Sequence, residues 1–294
     1  MTARLSKPRV VVVGNMSKPK VKEAIHKSLP MLRRRSNVAA IDSDLSLDLS
    51  AAQASRVIIF GGDGAILSVA RRMGRHQVPV IGVNLGKFGF LAEFSVEDLH
   101  KSITRLLRND CPVSHRMMLD CKINRNGRQI LTSLALNEVV VNRGALSRLM
   151  SVTVYLDGEE ANCYSGDGLM LSTPVGSTAH SLAAGGPIVE PHMDAFILTP
   201  VCPHTLSNRP LVIAADRKVE LVVTSASESP GAISVAATVD GQVFKELQEG
   251  DRVVIKKSRY RFRLIETDSR TYYQTLRQKL DWRGEPHYGS RKSS

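Results

Sequence analysis

The residues best placed to do chemistry sit in glycine-rich turns. Gly61-Gly62-Asp63-Gly64 follows the apolar run Val57–Phe60 directly and precedes a helix-like stretch, Ala65–Arg75. Glycine has no Cβ, so the chain can bend sharply there and bring its N–H groups against a phosphate beside a helix N-terminus. The carboxylate inside such a turn would face a hydroxyl nucleophile or a metal. A tight turn capping a helix explains a single G-D-G equally simply. No Gly-Lys-Ser/Thr follows and no G-x-G-x-x-G spacing is present, so neither the P-loop nor the dinucleotide fingerprint applies.

Three further blocks keep this turn company. Asn137-Glu138 ends the alternating stretch Ile130–Leu136, and an amide beside a carboxylate can hold both hydroxyls of a ribose; a polar loop edge is the alternative. Tyr164-Ser165-Gly166-Asp167-Gly168-Leu169 contains a second G-D-G. Ser172 through Ser181 supplies small residues, hydroxyls and backbone donors. An uncharged loop of that length within a β-rich region points to function more than to a bare surface connection.

The elements that must position these blocks fall into two textures. Up to about residue 112, short apolar runs (Arg9–Val13, Val57–Phe60, Val78–Val83) alternate with helical patterns (Val21–Leu32, Ala65–Arg75, and one starting at the capping box of Ser95 and running to about Arg108). That alternation predicts an α/β domain, a doubly wound parallel sheet with covered faces. Beyond it, Asn126-Gly127, Asp157-Gly158 and Asp240-Gly241 sit between alternating runs, the strongest short hairpin signal. They predict a C-terminal all-β, sandwich-like domain over residues 113–266, with strands in Leu119–Leu136, Val152–Tyr164, Val219–Val223, Val235–Phe244 and Val253–Ile265. Helical spacing returns at Asp268–Leu280, so residues 267–284 are expected to pack back on domain 1–112, with a frayed, disordered tail at 285–294.

Composition narrows the function classes. The longest stretch without Asp, Glu, Lys or Arg, Gly168–Val189, is rich in Gly, Ser, Thr and Pro, so it is not a membrane span. Four widely spaced cysteines without C-x-x-C read as reduced thiols of a cytoplasmic protein rather than a disulfide frame or zinc site. Net charge is +12, yet residues 1–35 and 252–294 carry +17 between them and the middle −5. A nucleic-acid protein would interleave its basic stripe with aromatics on the working surface; here the excess reads as a solvated face or as steering of a polyanionic substrate.

The four blocks, in this order, resemble the NAD kinase family, whose members transfer a phosphoryl group from ATP to the adenosine ribose 2′-hydroxyl of NAD. The match is carried by Gly61–Gly64, Asn84-Leu85-Gly86-Lys87-Phe88-Gly89-Phe90-Leu91, Leu136-Asn137-Glu138, Gly166–Pro187 and Pro203–Leu211, and spans residues 9–282. The resemblance implies Asp63 as general base with Gly64 beside it. It implies dinucleotide contacts from Asn137, Glu138, Arg148, Ser165, Asp167, Thr178, Ala179, His180, Ser181, Leu182, Ala183 and Gln242. Gly61, Gly62 and Lys87 are candidates for the ATP phosphates. It also implies NAD and ATP as partners, Mg²⁺ or another divalent metal entering with ATP and assigned to no residue, and a homodimer or homotetramer, with neither nucleic acid nor membrane as partner.

Ala65 and Val175 stand where the family usually has Thr, and His180 where it usually has Tyr. An imidazole stacks with less area than a phenol and gains charge below about pH 6.5, so weaker or more pH-sensitive NAD binding is expected. Ser165 is neutral where a basic side chain accompanies preference for oxidised NAD, so some use of NADH is expected. The rivals are a lipid kinase sharing G-G-D-G, a basic nucleic-acid binder and a non-catalytic β-rich domain. His204, an acid or ligand candidate, reads as a structural residue, and Arg71, Arg72 and Arg75, which could reach phosphates, read as the solvated face of the Ala65–Arg75 helix.

Overall fold

The computed structural model describes residues 7–86, 89–108, 111–144, 150–205, 207–225, 235–267 and 270–281. The N-terminal part contains β1 (Arg9–Val13), α1 (Pro19–Arg35), β2 (Asn37–Asp42), β3 (Arg56–Phe60), α2 (Asp63–Arg72), β4 (Val80–Val83) and α3 (Val96–Leu106). The strands run parallel in the order β2-β1-β3-β4. Alternation along the strands decides which helix covers which face. Val10, Val12, Ile58 and Phe60 pack with α1 and α3, whereas Val11, Val13, Val57 and Ile59 pack with α2. The predicted double winding is therefore observed. The Ser95 capping box is present, with Asp98 N–H donating to the Ser95 hydroxyl at 3.0 Å.

Two local readings are corrected. Strand β2 is an addition to the elements the sequence predicts: Asn37–Asp42 lies at the sheet edge, mostly half-buried, and lacks an unbroken apolar run. Helix α2 begins at Asp63 rather than Ala65, so the carboxylate belongs to the first helical turn.

The C-terminal part contains β5 (Val113–Arg125), β6 (Arg128–Ala135), β7 (Glu138–Arg143), β8 (Met150–Leu156), β9 (Glu159–Gly166) and β10 (Gly168–Ser172). A 3₁₀ turn (Gly176–Thr178) and the short α4 (His180–Ala183) follow. The chain then forms β11 (Ala195–Val201), β12 (Leu211–Ala214), β13 (Val219–Ser225), β14 (Val235–Val239), β15 (Val243–Leu247), β16 (Arg252–Ile265) and α5 (Tyr272–Leu280). One sheet, β12-β11-β10-β7-β14-β15, faces β5, β8, β13 and β16 across a core that includes Leu169, Leu171, Phe196, Val152 and Ile255. All three Asx-Gly turns form hairpins with positive φ at both central residues: Asn126 and Gly127, Asp157 and Gly158, Asp240 and Gly241.

The second layer is not separate from the first. β16 pairs with β13 and β5 and then meets β4 in parallel through Leu264 and Val80, so one sheet passes through both parts. Past β16, the Thr267 N–H reaches Glu93 at 3.0 Å and α5 lies over the same loop, which returns the C-terminal helix to the first part as expected. The expected tail, 285–294, lies outside the described residues. No helix among the described residues is long and apolar enough to cross a membrane. All four cysteines are free thiols.

Asp240 has a larger role than its hairpin. Buried at 5% exposure, its carboxylate accepts N–H bonds from Leu136 (2.9 Å), Asn137 (2.8 Å) and Glu138 (3.1 Å) and so fixes the entry to β7. Burial pushes its pKa up, against those three donors. Asp240→Ala orphans the donors and puts a Cβ-bearing residue with no local hydrogen bond at positive φ. It is expected to cost on the order of 3 kcal/mol of stability, measured by urea denaturation.

Candidate active site

Three parallel strands deliver their carboxyl ends to one cleft. Asn15 follows β1, Gly61 and Gly62 follow β3, and Asn84 follows β4. Because β2 and β3 lie on opposite sides of β1, this is the topological switch point at which open α/β sheets bind ligands. The cleft measures about 890 Å³ and is also lined by Lys18, Lys20, Gly64, Ser68, Gly86 and Gln242. Lys18 and Lys20 open helix α1, whose first turn carries no acid, so the N-terminal dipole and two ammonium groups reinforce each other there. In the sequence both lysines are part of the basic excess of residues 1–35.

At the cleft, Asp63 is held from outside its own helix. Phe90 N–H donates to Oδ2 at 2.8 Å, and Leu91 and Ala92 N–H donate to Oδ1 at 3.1 Å each. An ionised carboxylate has about four acceptor positions. With two donors on Oδ1 and one on Oδ2, the latter retains room for one hydroxyl. Gly89 makes this grip possible, since a Cβ there would fall on the Asp63 carboxylate. Gly82 plays a matching part, because a Cβ on β4 would press on Ala92 and the Leu91 carbonyl. Phe90–Ala92 thus makes a strap against the base of the turn.

Across the cleft, Gln242 ties the β-rich part to α2. Its Nε2 donates to the Gly64 carbonyl at 2.7 Å, and its Oε1 accepts from Arg71 Nη1 at 2.8 Å. Arg72 pairs with the buried Asp42 at 2.7 Å. The expectation that Arg71 and Arg72 form a solvated face is therefore corrected, since both bind acceptors brought in by other elements. Arg75 is exposed.

The second group lies where β7 starts. Glu138 is 1% exposed and its Oε1 meets His180 Nδ1 at 2.6 Å. Burial pushes the Glu138 pKa up and the His180 hydrogen bond pulls it down. Glu138 Oε2 and Asn137 Oδ1 are both buried without a donor, two acceptor oxygens on adjacent residues. Thr173 hydrogen-bonds the Leu136 carbonyl at 2.6 Å, and Gly176 packs so closely that a Cβ would strike the Asn137 carbonyl. The loop Ser172–Ser181 is thereby folded over Asn137-Glu138. Thr178 and Ala179 are half-buried, and His180 is exposed at the start of α4. Thr178 also faces Phe90 and Leu91 across a small cavity.

The remaining residues are more dispersed. Asp167 accepts from Arg143 Nε at 2.7 Å, which holds its carboxyl below the usual range. The Ser165 and Ser151 hydroxyls are 2.8 Å apart, and the Ser165 carbonyl accepts the His204 N–H. Ser181 is fully buried with its hydroxyl 2.9 Å from that of Thr199, so this side chain braces α4 against β11. Leu182 is half-buried and Ala183 exposed. Lys87 and Arg148 lie outside the described residues.

The ATP-NAD kinase N-terminal domain model matches residues 9–111, and the ATP-NAD kinase C-terminal domain model matches residues 136–267. The NAD kinase of Rhodopirellula baltica is 39% identical over 94% of this chain and 88% of its own length. This chain belongs to the NAD kinase family. The NAD kinase of Geobacter sulfurreducens is 36% identical over 93% of this chain and 98% of its own. Among solved structures, an Archaeoglobus fulgidus NAD kinase in complex with ATP superposes with a TM-score of 0.74 at 25% identity, covering 93% of this chain and 98% of that one. Yeast NADH kinase complexed with NADH gives 0.88 at 23% identity, covering 97% and 91%, and shares the fold.

Membership of the family gives the strap a measurable meaning. Gly89→Ala must displace the Asp63 carboxylate, and a shift of about 1 Å can cost roughly 100-fold in turnover. Steady-state kinetics are expected to show that loss in kcat, with a destabilisation of no more than about 3 kcal/mol as the strap N–H groups lose their acceptor.

Proposed function

We propose that this chain uses ATP to phosphorylate the adenosine ribose 2′-hydroxyl of NAD, giving NADP and ADP. The observation that carries the reading is the Asp63 carboxylate, fixed by three N–H groups with one acceptor position left on Oδ2. In the reaction Asp63 accepts the hydroxyl proton as the ribose oxygen bonds to the γ-phosphorus and the bond to the ADP oxygen breaks. Phosphoryl transfer asks the protein mainly for alignment and charge neutralisation, and a positioned base adds about 10²–10⁴-fold.

The cleft beside α1 suits the triphosphate. Gly61, Gly62 and Gly86 let backbone approach it, and Lys18 and Lys20 supply positive charge. Asn137 Oδ1 and Glu138 Oε2, which lack donors, suit the hydroxyls of a ribose. A divalent cation such as Mg²⁺ neutralises phosphate charge when bound. The described residues include no group of three His, Cys, Asp or Glu, and the phosphates of the nucleotide would supply oxygen ligands to such a cation. The division near residue 112, a cytoplasmic setting suited to free thiols, and assembly as a homodimer or homotetramer complete the reading.

The reading is tested by incubating the protein with NAD, ATP and Mg²⁺ and detecting NADP with an NADP-specific dehydrogenase. Asp63→Asn is expected to lower turnover by about 10²–10⁴-fold with the fold intact; full activity would remove Asp63 from the base role. NADH is expected to be phosphorylated as well, because Ser165 adds no positive charge that favours one redox form. A complete absence of reduced product would refute that part.

A further inference from the structure

Glu93 follows the strap directly. After Ala92, Phe94 bridges to Val83 of β4, exchanging hydrogen bonds with Gly82 and Asn84, so the strap is anchored on one side by the sheet. On the other side the anchor is Glu93, whose Oε2 accepts the Thr267 N–H at 3.0 Å just past β16. Nothing in the phosphoryl-transfer scheme uses this residue.

Its surroundings are a cavity of about 150 Å³ with a mixed polar and apolar lining, between the strap, β5 and the C-terminal segment. Arg116 faces it from β5 and is paired with Glu266, while Arg116 Nε and Nη1 are buried without an acceptor. Glu266 and Arg270 face it from the segment after β16, Tyr272 from α5 and His192 from the turn before β11, while the charge of Glu190 acts on Arg116 and Tyr272. Burial raises the Glu93 pKa from an ordinary 4.5 to about 7. Glu266 adds to the rise, whereas the Thr267 N–H, Arg116 and Arg270 oppose it.

We propose that Glu93 is a positioning residue for Asp63: by receiving the Thr267 N–H it pins the strap whose N–H groups aim the base, although it touches neither substrate. This rests on the assignment of Asp63 as the base. Ionised Glu93 is the stronger acceptor, and charge-assisted bonds are roughly twice as strong as neutral ones. Neutral Glu93 holds the Thr267 N–H more weakly. The strap is therefore firm above pH 7 and slack below it.

Stability runs the other way. A carboxyl with a raised folded pKa contributes stability that is complete below the unfolded value of 4.5 and is lost as pH rises through about 7. At pH 8 the ionised side chain helps to aim Asp63 at a cost to the fold, so Glu93→Gln is expected to be both slower and more stable there.

The experiment follows kcat and KM from pH 5.5 to 9 for the parent, Glu93→Gln, Glu93→Asp and His180→Tyr, with melting temperatures at pH 5 and 8. The parent is expected to gain about tenfold in kcat through a midpoint near 7, as alignment improves. Glu93→Gln should be flat at the low plateau, with KM for NAD within about twofold of the parent and a higher melting temperature at pH 8 only. Glu93→Asp, which keeps the charge on a shorter arm, should recover part of the limb, and His180→Tyr should keep it whole. A Glu93→Gln enzyme with the parent's kcat and limb overturns the proposal. So does a slow variant that is also less stable at pH 8, or a limb that disappears in His180→Tyr instead. Should the parent form no NADP, amide exchange decides independently. Protection of Phe90, Leu91 and Ala92 should fall in the parent as pH drops through 7 and stay low in Glu93→Gln; protection that is the same in both at every pH would sink the idea.

Discussion

The structure depends on the grip of three consecutive backbone N–H groups on one carboxylate. Asp63 heads a helix and would otherwise swing freely beside flexible glycines. Phe90–Ala92 removes that freedom without adding a positive side chain, so the anion is oriented while one oxygen stays open. Backbone donors suit this task because they are carried by a segment already bridged to β4. The glycines at 82 and 89 follow from the same need, since both clear space for strap or carboxylate.

Carboxylates organise the other wall too. Asp240 gathers the N–H groups of Leu136, Asn137 and Glu138, so a hairpin turn also shapes a site distant from it in sequence. Glu138 is buried with His180 as the partner of one oxygen. Desolvating an anion is expensive unless donors replace the lost water. Here backbone N–H groups hold Asp240 and one imidazole holds one oxygen of Glu138, whose other oxygen is left without a donor.

Much of this was legible in the residues because local rules governed it. Asx-Gly pairs forced three hairpins, the Ser95 box started α3, and apolar runs ending in glycine marked the strands that carry the site. What escaped was set by distant partners. Strand β2 is held by pairing with β1 rather than by its own pattern. Nothing near Asp240 in the chain announces that it caps β7 a hundred residues earlier. Arg71 and Arg72 look solvated on a helical wheel until Gln242 and Asp42 arrive from elsewhere. Lys18 and Lys20 could be placed in the cleft only once β1 and β3 were side by side. The continuation of the sheet through Leu264 and Val80 is a contact between remote segments that no local pattern encodes.

The Gln242 amide spans the gap between the two halves with only two hydrogen bonds, one to Gly64 and one from Arg71. At a net worth near 1 kcal/mol each, such a clasp exceeds thermal energy by only a few-fold. It is a light tie laid across the mouth of two halves that the sheet through Leu264 and Val80 already holds together.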